Sequence, residues 1–154
     1  MRRVGASVEI PEARIAEAEA LWYDLSRWPS FVEGFKHVAR VEGDWPRAGS
    51  SLVWESVPAG RGRVLEKVTQ FAQREGQRAE IRDPRIRGIQ QVRFEAGEGG
   101  SVLVTLTLEY ELVRSGALGP LTDFFFIRRA QQDALSRTLL RFARELETDR
   151  ELVS

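Results

Sequence analysis

The chain has 154 residues and no cysteine, and its 23 basic side chains balance 23 acidic ones, so the formal net charge is zero. At this length a protein buries about 68–70% of its unfolded surface, so we expect one domain that needs neither a disulfide nor a structural metal. The charge balance argues against nucleic-acid binding, which depends on a cationic excess. Since His37 is the only histidine, a zinc site is not expected, nor is any cofactor.

The sequence also lacks strongly apolar segments of the kind that direct secretion or span membranes. No N-terminal stretch is long and apolar enough for a signal peptide, and nothing approaches a membrane span. We therefore expect a cytoplasmic protein that does not insert stably into a membrane. A monomer and a homodimer are both compatible with the sequence.

The first part of the chain predicts one strand and two helices. Residues 4–10 alternate between apolar and small or polar side chains, which predicts a strand. Between residues 12 and 25 the apolar side chains fall on one face, which predicts an amphipathic helix. This helix ends at Trp28, because the residue before a proline disfavours helical geometry. A second short helical turn is predicted over 29–33.

After Gly34 the apolar residues recur at every second position, which predicts six strands. Their ranges are 36–43, 51–57, 63–71, 78–83, 89–95 and 101–113. The last strand has one apolar face, formed by Val102, Val104, Leu106, Leu108, Tyr110 and Leu112. One buried and one solvated face are typical of antiparallel sheets. Because the connections are short, the six strands should form an antiparallel meander that curls.

The final segment, from 120 to about 147, predicts one long amphipathic helix. Its apolar stripe consists of Leu118, Leu121, Phe125, Leu135, Leu139, Phe142 and Leu146. Arg128 and Gln132 interrupt the stripe where a filled core would have leucines. Such a helix is either a modest surface helix or the cap of a partly hollow structure. Because a curved sheet should leave space beneath this polar pair, we predict a cavity there. Residues 121–132 would cover this cavity, and residues 135–146, here called the anchor, would pack against the sheet and close the domain.

Three stretches resemble the START-like superfamily: DLSRWPSFVEGFKHVARVEG, FEAGEGGSVLVTLTLEYEL and LGPLTDFFFIRRAQQDALSRTLLRF. They are most similar to its bacterial polyketide cyclase/dehydrase and lipid-transport branch, which is related to coenzyme Q-binding proteins. The resemblance implies an α+β helix-grip fold. In that fold a seven-stranded curved antiparallel sheet wraps around a long C-terminal helix, and two short helices follow strand 1. The chain departs from the pattern at Ala18 and Glu19, where relatives often carry a bulky apolar pair.

Motifs of known reaction machinery are missing from the sequence. There is no GxSxG, HExxH, phosphate-binding glycine loop or dinucleotide fingerprint. The run GEGGS lies between two predicted strands and is a hairpin turn. His37 lies at the start of the second strand and is more simply a surface histidine than a member of a catalytic triad. We therefore assign no catalytic residue.

The candidate ligand-binding residues are those predicted to face the space between sheet and helix. They are Trp54, Ser56, Glu66, Phe94, Tyr110, Phe124, Phe125, Arg128 and Gln132. The aromatic members suit a flat or aliphatic molecule, since such sites are mostly apolar with a few aimed polar groups. Gln132 could offer an amide to a ligand carbonyl, and Tyr110 a hydroxyl.

The orientation of Glu66 is left open by its strand. Burying Val64 and Val68 would bring Glu66 inside, whereas the opposite phase would bury Leu65 instead. A buried Glu66 should have a raised pKa unless an arginine pairs with it, and Arg128 is the candidate partner. The alternative is that Glu66 and Arg128 are both solvated.

The leading functional hypothesis is binding or transport of a small hydrophobic molecule, such as a lipid, a quinone or a polyketide-like compound. The alternative is an aromatase/cyclase-type enzyme, which would fold a flexible substrate by proximity and use one acid–base group. A third hypothesis is an interaction module that binds a partner protein and whose cavity is vestigial.

Overall fold

A computed structural model describes residues 1–113 and 120–153, without the side chains of 120–124. Its strands are β1 (Arg2–Ile10), β2 (Phe35–Glu42), β3 (Ser51–Ser56), β4 (Arg63–Ala72), β5 (Gly76–Arg82), β6 (Ile86–Ala96) and β7 (Val102–Leu112). Its α-helices are α1 (Ile15–Tyr23), α2 (Trp28–Phe31) and α3 (Pro120–Val153). A short 3-10 turn, Leu25–Arg27, links α1 to α2.

All seven strands belong to one antiparallel sheet with the order β1-β7-β6-β5-β4-β3-β2. The six strands after α2 therefore form the predicted meander, and β1 pairs with the last of them. β1 and β2 are the edge strands. Helix α3 packs against β1, β7 and both short helices. The predicted helix-grip arrangement, an α+β fold with two short helices after strand 1, is confirmed.

The core lies between the sheet and α3, and aromatic rings join the helices across it. In β7 the predicted inward residues from Val102 to Tyr110 are all buried. The rings of Trp22 and Phe31 meet Phe142 of α3 edge-on, with centroids 5.3 and 5.2 Å apart. The predicted anchor is confirmed, since its apolar stripe residues are buried: Leu135, Leu139, Phe142 and Leu146.

Local hydrogen bonds move some element ends away from their predicted positions. Strand β6 starts at Ile86 rather than at 89, because Asp83 Oδ1 accepts from the backbone nitrogens of Arg85 and Ile86 and closes the turn early. Helix α1 starts at Ile15 rather than at 12, since Arg14 caps it and its backbone nitrogen donates to Glu17. Within the described residues, no helix is long and apolar enough to cross a membrane.

Candidate functional site

The inner face of α3 differs by one residue from the predicted face. Ile127 and Gln131 are buried in line with Leu135, whereas Arg128 is exposed and Gln132 is half-buried. Successive helical residues are about 100° apart, so this offset turns the side chains away from the interior. The prediction that Arg128 and Gln132 face a cavity is therefore wrong. Both side chains instead donate hydrogen bonds to backbone carbonyls of β1.

The other predicted site residues have mixed outcomes. Trp54, Phe94 and Tyr110 are buried, as predicted. Phe125 is 61% exposed, so its predicted inward orientation is wrong, because it lies about 200° around α3 from the buried Ile127. The side chain of Phe124 lies outside the described residues.

Ser56 forms its hydrogen bonds within the turn that follows β3. Its hydroxyl accepts from Gly62 N at 2.8 Å and donates to Val57 O at 3.0 Å. Both partners lie in the β3–β4 turn. Ser56 therefore stabilises this turn, and its role as a ligand contact stays a prediction.

Glu66 faces inward and is 5% exposed, together with the buried Val64 and Val68. Trp54 Nε1 donates to Glu66 Oε2 at 2.7 Å. Burial raises the pKa of the Glu66 carboxyl, and the hydrogen bond from Trp54 and the charge of Arg61 only partly offset it. The expected partner Arg128 is not involved. Glu66 is therefore a buried carboxyl group that tends to hold its proton.

Arg61 and Asp83 form an ion pair beside this carboxyl group. Arg61 Nε donates to Asp83 Oδ2 at 3.0 Å, and the side chains are 18% and 2% exposed. The guanidinium carbon of Arg61 lies 5.8 Å from the ring centroid of Trp54. Sequence reasoning missed both residues, because PAGRG and the bend after β5 look like ordinary turns. The only feature of the sequence that could have indicated this pair is the position of Arg61 just before β4.

A small interior cavity of about 40 Å³ lies between the sheet and α3. Its polar lining includes Glu66, Gln77, Gln90 and Gln131, and Trp54 contributes an aromatic wall. Ligand pockets usually measure about 300–1,000 Å³. The space under α3 is thus filled mainly by side chains, and the remaining cavity has room for little more than a water molecule.

A larger cleft, here called the mouth cleft, measures about 360 Å³. It lies between the β3–β4 turn, residues 83–85 and α3. Its apolar lining includes Val57, Pro58, Phe126, Ile127 and Ala130. The mouth cleft and the interior cavity share four lining residues: Glu33, Arg61, Gln131 and Ala134. The two spaces therefore adjoin, and Arg61 of the Arg61–Asp83 pair lines both of them.

Two other grooves are larger than the mouth cleft. One of about 640 Å³ lies between α1 and the end of α3, and charged residues dominate its lining, including the ion pair of Arg27 with Asp149. Another of about 510 Å³ lies on the outer face of the sheet around Leu65 and Ile89. Neither groove is lined by Arg61 or Gln131.

The remaining titratable candidates lie apart from this site. His37 is half-exposed, with Nε2 3.3 Å from Glu55 Oε2, which agrees with its interpretation as a surface histidine. Burial raises the pKa of Tyr110, whose hydroxyl has no hydrogen-bond partner among the described residues, but Tyr110 lines neither space. No cluster of three potential metal ligands occurs in the part of the chain that the structure describes.

A family model for polyketide cyclase / dehydrase and lipid transport proteins matches residues 1–147. The chain belongs to this family. Membership covers almost the whole domain, including β1, the mouth cleft and most of α3. The resemblance to the START-like superfamily and to this branch of it is thereby confirmed.

Solved structures show the same fold at low sequence identity. The Zhui aromatase/cyclase from Streptomyces sp. R1128 is 14% identical with a TM-score of 0.76, over 95% of this chain and 93% of that one. A Thermus thermophilus protein is 20% identical with a TM-score of 0.75, over 96% and 99%. A START superfamily protein from Mycobacterium smegmatis is 16% identical with a TM-score of 0.68, over 99% of each chain. No curated protein matches the sequence.

Proposed function

We propose that this member of the polyketide cyclase/dehydrase and lipid-transport family binds a small, mostly apolar molecule in the mouth cleft. The polar end of the molecule points toward the interior cavity. One observation carries the proposal: the mouth cleft shares Arg61 and Gln131 with a cavity that holds the buried carboxyl group of Glu66. Apolar walls that lead to a few converging polar groups are typical of small-molecule sites.

The volumes of the two spaces support placing the apolar body of the ligand in the mouth cleft and only its polar end near the interior cavity. The mouth cleft falls within the usual range for ligand pockets, whereas the interior cavity of about 40 Å³ is far below it. Of the residues predicted from the sequence, Trp54 and Glu66 belong to the proposed site. Arg61, Gln131 and Ala134 join them. Lipids, quinones and polyketide-like molecules remain the candidate classes of ligand.

The binding proposal is tested with the neutral dye N-phenyl-1-naphthylamine, followed by its fluorescence, and with displacement of the dye by a short-chain quinone. Ala134 lines both spaces, so an Ala134→Trp variant should fill the passage and take up little dye. The matched control, Leu65→Trp, places the same side chain in the outer-face groove and should bind like the wild type. Equal dye uptake by both variants, or none by the wild type, would contradict the proposal.

A second candidate function is an aromatase/cyclase-type reaction, and the state of Glu66 is the observation that favours it. Burial raises the pKa of the Glu66 carboxyl, so it holds its proton more readily than a free glutamate and can act as a general acid beside a bound substrate. The test is incubation with a linear poly-β-ketone thioester and detection of aromatic product by mass spectrometry. Product formed by the wild type but not by Glu66→Gln supports the enzyme, and no product from either sets it aside.

A further inference from the structure

The guanidinium group of Arg61 has one edge that its ion pair leaves free. A guanidinium carries five N–H donors, arranged as a rigid fork. Asp83 accepts from Nε at 3.0 Å, but Nη2 is buried and has no hydrogen-bond partner within the described residues. Buried donors on charged groups are almost always paired, so this nitrogen points to an acceptor that binds there.

Neighbouring carboxyl groups are already engaged and do not serve this nitrogen. Asp83 Oδ1 accepts from two backbone nitrogens, and its Oδ2 is held by Arg61 Nε. Glu66 Oε2 accepts from Trp54 Nε1. Arg61 lines both spaces, and its Nη2 donates to no acceptor of this network within the described residues.

The other charged side chains around the passage are paired with one another. Among the described residues, Glu33 contributes the only carboxylate that lines both spaces, and it lies 3.4 Å from Arg137 Nη1 and 2.7 Å from Arg141 Nη1. Two arginines thus face this one carboxylate, while Arg61 and Asp83 balance each other. The lining of the mouth cleft is otherwise balanced, with Arg61, Arg85 and Arg137 against Glu33, Asp83 and Asp133, so the place for an anion is the Nη2 of Arg61, which is unpaired in the described part of the chain.

We propose that the free edge of Arg61 binds a carboxylate of the ligand, so that the site selects apolar molecules with one acidic group. This inference rests on the proposed function and adds the chemical class of the ligand. In this arrangement the apolar body lies in the mouth cleft against Phe126 and Ile127. The acid group lies at the passage, where Arg61 bridges it to Asp83.

The test compares 2-naphthoate with 2-naphthamide, which has the same apolar body but no charge, by isothermal titration calorimetry at pH 7.5. We expect the wild type to bind the naphthoate at least about tenfold more tightly. Arg61→Gln should remove this preference, so that the two probes bind the variant with similar affinities. Arg61→Lys should keep only part of it, because an ammonium lacks the planar fork. The matched control is Arg63→Gln, an exposed arginine two residues further along the chain, which should behave like the wild type.

The outcomes separate the inference from the proposed function. If the wild type binds both probes with equal affinity and Arg61→Gln changes neither, the mouth cleft is a binding site but Arg61 does not select acids. If the wild type binds neither probe, both proposals are overturned. Should Arg61→Gln fail to fold, the side-chain Nε–H signal of Arg61 in the wild type gives the answer by ¹⁵N NMR. Naphthoate should shift this signal and naphthamide should not, and an unmoved signal would overturn the inference.

Discussion

The side-chain amide of Gln132 pairs with the backbone of Gly5 much as a neighbouring strand would. Gln132 Nε2 donates to Gly5 O at 2.7 Å, and Gly5 N donates to Gln132 Oε1 at 3.3 Å. One turn earlier in α3, Arg128 Nη1 donates to Arg3 O at 3.1 Å. The spacing matches because four helical residues advance about 6 Å and two strand residues about 6.6 Å. These bonds cover the free edge of β1, which could otherwise pair with another chain.

Replacing this amide should therefore affect stability and not ligand uptake. Gln132→Leu removes two hydrogen bonds to half-exposed backbone groups, so we expect a loss of about 1–2 kcal/mol in the free energy of unfolding. Urea denaturation measures it. The control Arg129→Leu, an exposed neighbour on α3, should stay within about 0.5 kcal/mol of the wild type. If Gln132→Leu is as stable as the wild type but takes up a different amount of dye, Gln132 contributes to ligand binding and this prediction is wrong.

The wrong prediction for Arg128 and Gln132 shows that the spacing of apolar residues alone does not always decide which face of a helix is buried. The regular alternation of β7 predicted its buried face because every second residue is apolar over eleven positions. In α3 the residues around 128–133 are mostly polar. The three- and four-residue spacing of the apolar residues is therefore compatible with two different inward-facing stripes. One passes through Arg128 and the other through Ile127, and only packing against β1 selects between them.

The sequence could not show whether Glu66 faces inward, for a related reason. β4 has apolar residues in both phases, so its pattern does not say which face is buried. The structure decides through register: Trp54 lies opposite Val64, which places its indole diagonally across from Glu66 on the same face. Register depends on the β3–β4 turn, and that same turn carries Arg61. The fold was therefore predictable from local patterns, whereas the polar part of the site depends on contacts between strands.

Glu19 of α1 contacts the β4–β5 turn through the backbone and the side chain of Arg74. Glu19 is buried, its Oε2 accepts from Arg74 N at 2.8 Å, and its Oε1 pairs with the Arg74 guanidinium. Arg74 has a φ of 68°, a conformation that non-glycine residues rarely adopt. The carboxylate thus fixes a strained turn against α1.

Removing that carboxylate should loosen the turn. We expect Glu19→Ala to cost about 1–2 kcal/mol of unfolding free energy, since it leaves the Arg74 backbone nitrogen without its acceptor. Glu19→Gln keeps an oxygen for this nitrogen and loses only the half-exposed ion pair, so its cost should be below about 1 kcal/mol. Chemical denaturation of both variants provides the comparison. Equal stability of Glu19→Ala and the wild type would show that the contact is not stabilising.

Leu139 and Leu140 offer a matched test of the anchor in α3. Leu139 is 1% exposed and belongs to the core, whereas its neighbour Leu140 is 57% exposed. Leu139→Ala should cost about 2–5 kcal/mol, because it leaves a cavity. Leu140→Ala should change the unfolding free energy by less than about 0.5 kcal/mol. Similar losses in both variants, measured by thermal and urea denaturation, would mean that α3 is not anchored by this face.

Glu66 should make the protein less stable as the pH rises. In the unfolded chain a glutamate releases its proton near a pKa of about 4.3, whereas burial raises the pKa of Glu66 in the folded protein. Above a pH of about 4.3 the folded state therefore binds more protons than the unfolded state. Its stability falls by up to about 1.4 kcal/mol per pH unit until the pH passes the folded-state pKa.

Glu66→Gln should remove this loss, because an amide does not titrate yet still offers an oxygen to Trp54 Nε1. Urea denaturation between about pH 4.5 and 8 should show the variant gaining stability relative to the wild type as the pH increases, with little difference at the acidic end. Glu80→Gln, on the exposed side of β5, is the control and should follow the wild-type curve. If the Glu66→Gln curve also runs parallel to the wild type, Glu66 is ionised in the folded protein. It could then not serve as a general acid.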